Sequence, residues 1–380
     1  MLITKQAVFK RFWYPIVPME MLKEGPQPFT LMGESIVLWA DNEGAPRAAI
    51  DRCCHRMAKL SIGWVDTDGC ITCPYHGWRF DGSGQCRSVP QIGDKVPNHQ
   101  LKIKAYLCEE KYGYAWVCLS DDPISGIPEF EEAGDPDFRQ VFEFYETWDC
   151  ASMRLMENSF DAAHIAFVHK DSFGDINKPV PELGKLYKTE NGSFYMLNKN
   201  RVDNTKVDRS VTGEDDDVTY RTTRTDYYPP VIRKSKIHYP GGLIHSIVTC
   251  ATPIADGTMQ LCQWVYRNDT EEDVPAEKVV AFDRIVTIED RHILESCDPD
   301  VPIDQSRRAE LHMASDRPGM LIRNILMELL KENGEQEVYG DHFIQYETPE
   351  NIEYRKNEVD PVKMPEETGK PASSPVDKSV

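Results

Sequence analysis

Residues 52–56, RCCHR, and residues 73–86, CPYHGWRFDGSGQC, carry the pattern on which the reading of this chain turns. Cys53-x-His55 is followed, after residues 56–72, by Cys73-x-x-His76. Each short segment therefore places one soft thiolate and one imidazole close together on a tight loop. Two cysteines and two histidines could also make a tetrahedral zinc site. Zinc motifs, however, mostly pair Cys with Cys and His with His along the chain, and here the two alternate. Alternation suits a two-iron cluster with both thiolates on one iron and both imidazoles on the other, each loop giving one ligand to each iron. Pro74, Gly77 and Trp78 shape the second loop and offer an aromatic cover against solvent.

Around these loops, from about Phe9 to Ser120, short apolar runs such as SIVLWA and YGYAWVCL alternate with Gly, Asp and Pro, the signature of an antiparallel β domain. Asp68-Gly69 and Asp81-Gly82 are expected to make tight turns with positive φ. Residues 121–138, DDPISGIPEFEEAGDPDF, form a polar connector where a domain boundary belongs. Beyond it, residues 151–168 are helix-like, 190–268 return to strand-like alternation and 275–332 are helix-like again. The expected fold class is α+β, divided into 1–125, 126–345 and a polar tail over 346–380 with no means of forming a core.

Composition sets the outer limits. The chain has 380 residues, 40% hydrophobic and 28% charged, enough to bury a sizeable core. Its net charge of −20 argues against nucleic acid as a partner, since a polyanion needs a basic surface. That charge could favour docking of a basic electron donor. No apolar run approaches the roughly eighteen residues of a membrane span, and the first residues lack a secretory cleavage pattern. With eleven cysteines at irregular spacing, a reduced, cytoplasmic setting is expected rather than a disulfide framework. Apart from Cys53 and Cys73, and from Cys54, which looks like a spectator between two ligands, the cysteines read as small buried hydrophobes. That group includes Cys108 and Cys297.

A second constellation lies about a hundred residues on. His164 and His169 are five apart, and on an ideal helix that spacing turns through about 500°, so the rings would not share a face. Joint coordination needs a helix break or bulge between them. Taken alone, two histidines near a helix are more often core or surface residues than ligands.

Taken together, the two constellations resemble the Rieske non-haem iron oxygenases, in the branch with a single terminal-oxygenase subunit. RCCHR with CPYHGWRFDGSGQC is similar to that family's cluster-binding segment, although Cys54 stands where the family more often has proline. Asn158-x-x-Asp161-x-x-His164-x4-His169 is similar to its iron-site pattern. The resemblance covers roughly residues 5–335 and implies a Rieske 2Fe–2S domain, then a helix-grip (START-like) catalytic domain. It implies Cys53, His55, Cys73 and His76 as cluster ligands, and His164 and His169 as ligands of a mononuclear Fe(II) together with one carboxylate. The late segment Ser315–Arg323 resembles the family's ligand helix, which points to Asp316. The runners-up are Asp290, Glu289 and Asp283; the first two read more readily as solvated helix acids. Asp161 is implied as a carboxylate bridging the two centres across a subunit interface, in a homotrimer.

The activity so implied is oxidation of a small organic substrate by dioxygen: monooxygenation, hydroxylation or oxidative O- or N-demethylation. Electrons would come from a separate NAD(P)H-dependent reductase or ferredoxin, because the chain shows no Gly-rich nucleotide fingerprint after a strand. Cis-dihydroxylation is the alternative within the family, and a Rieske electron-transfer protein the alternative outside it. The pocket walls are scattered; Phe160, Phe167, Tyr227, Tyr228, Ile244 and Met259 are candidates. Arg201 or Arg233 could hold a carboxylate, although a solvated arginine is the more common case.

Overall fold

The computed structural model describes residues 1–206, 208–307 and 309–340. The expected tail, 346–380, lies outside the described residues. In chain order the strands of the first half are β1 (Tyr14–Pro18), β2 (Gln27–Leu31), β3 (Glu34–Ala40), β4 (Pro46–Ile50), β5 (Trp64–Val65), β6 (Ile71–Thr72), β7 (Arg79–Phe80), β8 (Cys86–Ser88), β9 (Ala105–Lys111) and β10 (Tyr114–Cys118). They form a six-stranded sheet ordered β1-β10-β9-β4-β3-β2 and a four-stranded sheet ordered β5-β6-β7-β8, antiparallel throughout.

The run SIVLWA shows why two sheets are needed. Successive side chains of a strand point to opposite faces, and both faces of β3 are buried. Ile36 and Leu38 enter the main core shared with the second half of the chain. Val37 and Trp39 enter a smaller core with Leu60, Ile71, Phe80, Cys53 and Cys73. The cysteine loops are thus anchored on the far side of β3 from the rest of the molecule.

Of the two expected turns, Gly69 has φ +76° as anticipated. In the other the left-handed residue is Gly84 (φ +79°), not Gly82. Asp81 accepts from the backbone N–H of Ser83 and Gln85 (2.9 and 3.1 Å), which draws the turn two residues later. A Cβ on Gly84 would lie 2.2 Å from the Ile103 carbonyl oxygen, so no other residue fits there.

After the connector come β11 (Arg139–Trp148), α1 (Ser152–Phe160), α2 (Ile165–Val168), β12 (Lys185–Lys188), β13 (Phe194–Asp203), α3 (Arg209–Thr212), β14 (Val218–Tyr228), β15 (Ile232–His238), β16 (Ile244–Ala255), β17 (Thr258–Arg267), α4 (Ala276–Leu294) and α5 (Arg317–Glu332). The strands form one antiparallel sheet ordered β11-β17-β16-β15-β14-β13-β12. The fold is therefore α+β, as the sequence suggested.

Period-two alternation again assigns the two faces of this sheet. Ile232, Val248, Cys250, Cys262 and Trp264 pack against Tyr114 and Trp116 of the first half. The intervening residues, Arg233, Ser235, His245, Ile247, Thr249, Leu261 and Gln263, face a cavity closed by α1, α2 and α4. The inward stripe of α4 carries Asp283, Thr287 and Asp290 because it borders that cavity rather than a dry core. The inward stripe of α5 is Ile322, Leu326 and Leu330, an ordinary amphipathic core helix.

Candidate metal centres

The two cysteine loops have the same backbone design. Cys53 N–H donates to Ala58 O (2.8 Å) and Met57 N–H to Cys53 O (3.0 Å). At the same offsets, Cys73 N–H donates to Trp78 O (2.8 Å) and Gly77 N–H to Cys73 O (2.9 Å). The fifth residue of each loop is left-handed, Met57 at φ +58° and Gly77 at φ +73°. Asp51 ties down the first loop by accepting from Leu60 N, Ser61 N and Ser61 Oγ at 2.7–2.8 Å.

Both thiols are buried while His55 is exposed and His76 partly so. The imidazole centroids lie 4.6 Å apart. A cluster with one inward, thiolate-held iron and one outward, imidazole-held iron fits this arrangement. Burial pushes the Cys53 thiol up to about 12 in the metal-free chain, so metal binding is what would make it a thiolate. Trp78 does cover the site: its indole stacks on His55 at 4.6 Å and 2°. Gln91, which carried no sequence signal, accepts from Trp78 Nε1 (3.1 Å) and donates to His76 O (2.9 Å). Cys54 is exposed beside the ligand loop. Cys297 is exposed and Cys108 only partly buried, so neither is the buried hydrophobe expected; Cys297 lies just past the end of α4, outside the core.

The histidine pair flanks a single helical turn. His164 precedes α2 and His169 follows it with φ −97° and ψ 22°, so the chain leaves helical geometry as the fifth-residue spacing required. Their Nε2 atoms come within 3.2 Å. Asp290 Oδ1 lies 3.3 Å from His169 Nε2 and 3.6 Å from His164 Nε2. Two imidazole nitrogens and one carboxylate oxygen thus converge within 4.8 Å of one another, the one such group of three among the described residues.

Asp316 is not part of this group. Its Oδ2 accepts from Met313 N (2.8 Å), capping the turn ahead of α5, and its carboxylate reaches neither histidine. The expectation fell on Asp316, but the carboxylate that the structure brings to the two histidines is that of Asp290. The reason is that α5 turns an apolar face to the core and contributes no residue to the cavity, whereas α4 presents acids to it.

The surrounding groups hold the cluster in place. His169 is 2% exposed, stacked on Phe173, and its Nδ1 meets Glu289 Oε2 at 2.8 Å. That contact directs the Nε2 lone pair at the group of three. Ser172 Oγ donates to the same Glu289 oxygen (2.7 Å). Asn158 Nδ2 donates to Asp290 Oδ1 (2.9 Å), which explains its place in the motif. Burial opposes charge on Asp290, yet His169 and His164 hold its carboxyl below the usual range. Burial likewise opposes charge on His169, but Asp290 and Glu289 raise its pKa on balance. Asp161 accepts from Ala163 N (2.8 Å) and His164 N (3.0 Å), and its Oδ2 stands 3.5 Å from His164 Nδ1, too long for a strong hydrogen bond.

A cavity of about 690 Å³ opens beside this group. None of Phe160, Phe167, Tyr227, Tyr228, Ile244 and Met259 lines it; Phe160, Tyr227 and Met259 belong to the main core instead. Arg201 and Arg233 both line it.

Residues 12–106 match the family model described as a Rieske [2Fe-2S] domain, and residues 148–332 the one described as a vanillate O-demethylase oxygenase C-terminal domain. The chain belongs to the single-subunit Rieske non-haem iron oxygenases. It is 29% identical over 341 residues to the methylxanthine N1-demethylase NdmA of Pseudomonas putida, covering 87% of this chain and 92% of that protein. Aminopyrrolnitrin oxygenase PrnD of Pseudomonas fluorescens is 33% identical over 165 residues, 41% of this chain and 45% of PrnD. The solved structure of NdmA with caffeine superimposes with a TM-score of 0.76 at 25% identity, over 86% of this chain and 93% of that one. Dicamba monooxygenase bound to 3,6-dichlorosalicylic acid shares the fold at a TM-score of 0.73 and 21% identity, over 87% of this chain and 100% of that one. This oxygenase therefore has a domain of the kind that carries a 2Fe–2S cluster, and no helix among its described residues is long and apolar enough to cross a membrane.

Proposed function

We propose that the chain is a terminal oxygenase that oxidises a small organic substrate by monooxygenation or oxidative demethylation. In this reading Cys53, His55, Cys73 and His76 hold the cluster of a domain spanning residues 1–125. His164, His169 and Asp290 hold a mononuclear Fe(II) in the domain that begins at residue 126. The observation that carries it is the convergence of two imidazole nitrogens and one carboxylate at the edge of a cavity, in a chain that also bears the Rieske loops. Two histidines and one acid leave coordination positions open, as oxygen-activating iron requires. When bound, the cluster supplies electrons singly and the mononuclear iron supplies a site for dioxygen activation.

The chain's own residues do the rest. Glu289 and Ser172 fix the orientation of His169, and Asn158 that of Asp290. Asp161 stands behind His164 with its carboxylate ionised and open to a further donor, which suits a hydrogen-bonded link to a cluster histidine of a neighbouring subunit. Such a link implies a head-to-tail ring, and a homotrimer is the assembly we assign. The sheet and α4 enclose the substrate and limit water around the reacting carbon. The electron donor is a separate reductase or ferredoxin, and the setting is cytoplasmic. Names of relatives that include N-demethylases and a monooxygenase support one-oxygen chemistry over cis-dihydroxylation.

The test is iron content and labelled dioxygen. Three irons per chain, a Rieske spectrum on reduction and one labelled oxygen atom transferred per turnover support the reading. Two irons per chain, or two labelled atoms in one product, contradict it.

A further inference from the structure

Arg233 sits near the start of β15, opposite Tyr227 on β14 and Thr249 on β16, and its side chain lines the cavity beside Asp290. Nη1 donates to Ser235 Oγ at 2.7 Å. Nε and Nη2 meet no acceptor among the described residues, and Nε is sealed from solvent. No described carboxylate lies within ion-pair distance of the guanidinium.

Arg201 also lines the cavity without an ion pair among the described residues but is only half-buried, whereas the buried arginines are paired. Arg221 pairs with Glu214 at 3.0 Å, Arg267 with Asp269, and Arg323 with Glu157 and Glu310. Burial pulls Arg233 down to about 10, with Asp290 and Asp283 opposing from beyond contact distance. A guanidinium withdrawn from bulk water without a carboxylate partner is costly. Around it the sheet face carries the hydroxyls of Thr223, Thr225, Ser235 and Thr249 beside the apolar Ile237, Ile247 and Leu261. Thr225 and Ser235 are bonded to each other at 3.1 Å, and Thr249 donates to Gln263 at 2.8 Å. Three of these hydroxyls thus have partners within the sheet, while Arg233 Nη2 is left without an acceptor.

We infer that Arg233 receives a carboxylate of the substrate, so that this oxygenase acts on an organic acid whose far end is presented to His164, His169 and Asp290. The inference rests on the reading of the cavity as the substrate site. Nη2, which meets no acceptor, offers a carboxylate oxygen a charge-assisted N–H donor at the cavity wall. Anchoring one end of the substrate by this charged hydrogen bond fixes which carbon faces the iron ligands. Arg233 is thus a binding residue that sets both substrate class and position of attack.

The test compares acids with their neutral isosteres. Binding of 3-methoxybenzoate and 6-methoxy-2-naphthoate, and of the corresponding amides, is measured by calorimetry on the iron-loaded protein, on Arg233→Met and on Arg233→Lys. At least one acid is expected to bind tenfold or more tightly than its amide to the wild type. The preference should vanish in Arg233→Met and survive in part in Arg233→Lys, which keeps the charge and guards against a folding artefact. Equal binding of acid and amide to the wild type, no binding of either acid, or a preference that survives in Arg233→Met would each overturn the inference. Oxygen uptake separates the two levels. A protein with three irons that demethylates the amides as well as the acids, unaffected by Arg233 substitution, loses the anion assignment but keeps the oxygenase reading. A protein without the mononuclear iron loses the oxygenase reading itself.

Discussion

The loops around Cys53 and Cys73 each close on themselves through two backbone hydrogen bonds spanning five residues, and only then meet across the small core under β3. His164 and Asp290 have no such local frame. They are brought together by α2 at one edge of a cavity and by α4, which the chain reaches only after laying down six more strands of the sheet. One site is made of turns and the other of tertiary packing. Damage to the first should stay local, whereas the second depends on everything that holds α4 against the sheet.

Cys73→Ser breaks the first site at one of its two buried thiols. It should remove the cluster and all turnover while leaving one iron per chain at the histidine pair, read by metal analysis and by loss of the red-brown absorbance. Loss of both centres would show that the two are not independent.

Lys234→Met tests the packing that both regions share without touching either. Lys234 is 5% exposed and pairs at 3.0 Å with Glu132 on the connector, and Glu132 is 1% exposed. Removing one partner of a buried pair costs about 3–5 kcal/mol. The lower end is expected here, because Ser246 Oγ (2.9 Å) and Lys236 (3.4 Å) still contact Glu132. Burial opposes charge on Glu132, but Lys234 and Lys236 keep its pKa below the ordinary value. The pair's stabilisation is therefore present above the unfolded-state pKa of about 4.3 and is lost as pH falls through the lower folded value. Denaturant melts at pH 7 should show the full loss, and melts at strongly acidic pH should bring mutant and wild type together. A mutant as stable as wild type at pH 7 would remove the connector from the account.

Glu289→Gln sharpens the comparison further, since the first site has no equivalent of this orienting acid. Loss of an outer partner of a metal-bound histidine weakens metal binding roughly 10–100-fold. Equilibrium dialysis should show that drop at the mononuclear site and full cluster content.

The smallest effect lies within the loop pair itself. Gly77→Ala puts a Cβ at φ +73° and 3.1 Å from Pro90 Cγ, and should cost about 1–2 kcal/mol. Met57→Gly, at the matching position of the other loop, should cost nothing and could gain up to about 1 kcal/mol. Thermal melts that rank the two the other way round would break the equivalence of the loops.

How much could be read from the sequence follows the same division. The two Cys/His loops were legible because the residues that close each loop share a stretch of a few residues with its Cys and His. Trp78 was legible as a cover for the same reason, but Gln91 was not, since its two hydrogen bonds reach back across a loop. In the second site the histidines and Asn158 shared one motif and could be found together. The distant acid could not. Asp316 resembled a ligand by its segment alone, and Asp290 looked like a solvated acid because an inward polar stripe reads, in one dimension, like an outward one. Only the cavity beside α4 tells them apart. Arg233 was visible as a residue but not as an unpaired one, because pairing across strands is set by register.

The central claim is that Asp290, and not Asp316, completes the iron site. Iron per chain, with the Rieske signal integrated in the same sample, tests it directly in Asp290→Ala and Asp316→Ala. The account predicts three irons and turnover in Asp316→Ala, with at most a cap's worth of stability lost, about 0.5–2 kcal/mol. It predicts two irons, an undiminished Rieske signal and no turnover in Asp290→Ala. Three irons with turnover in Asp290→Ala, or loss of the mononuclear iron in Asp316→Ala, would contradict it.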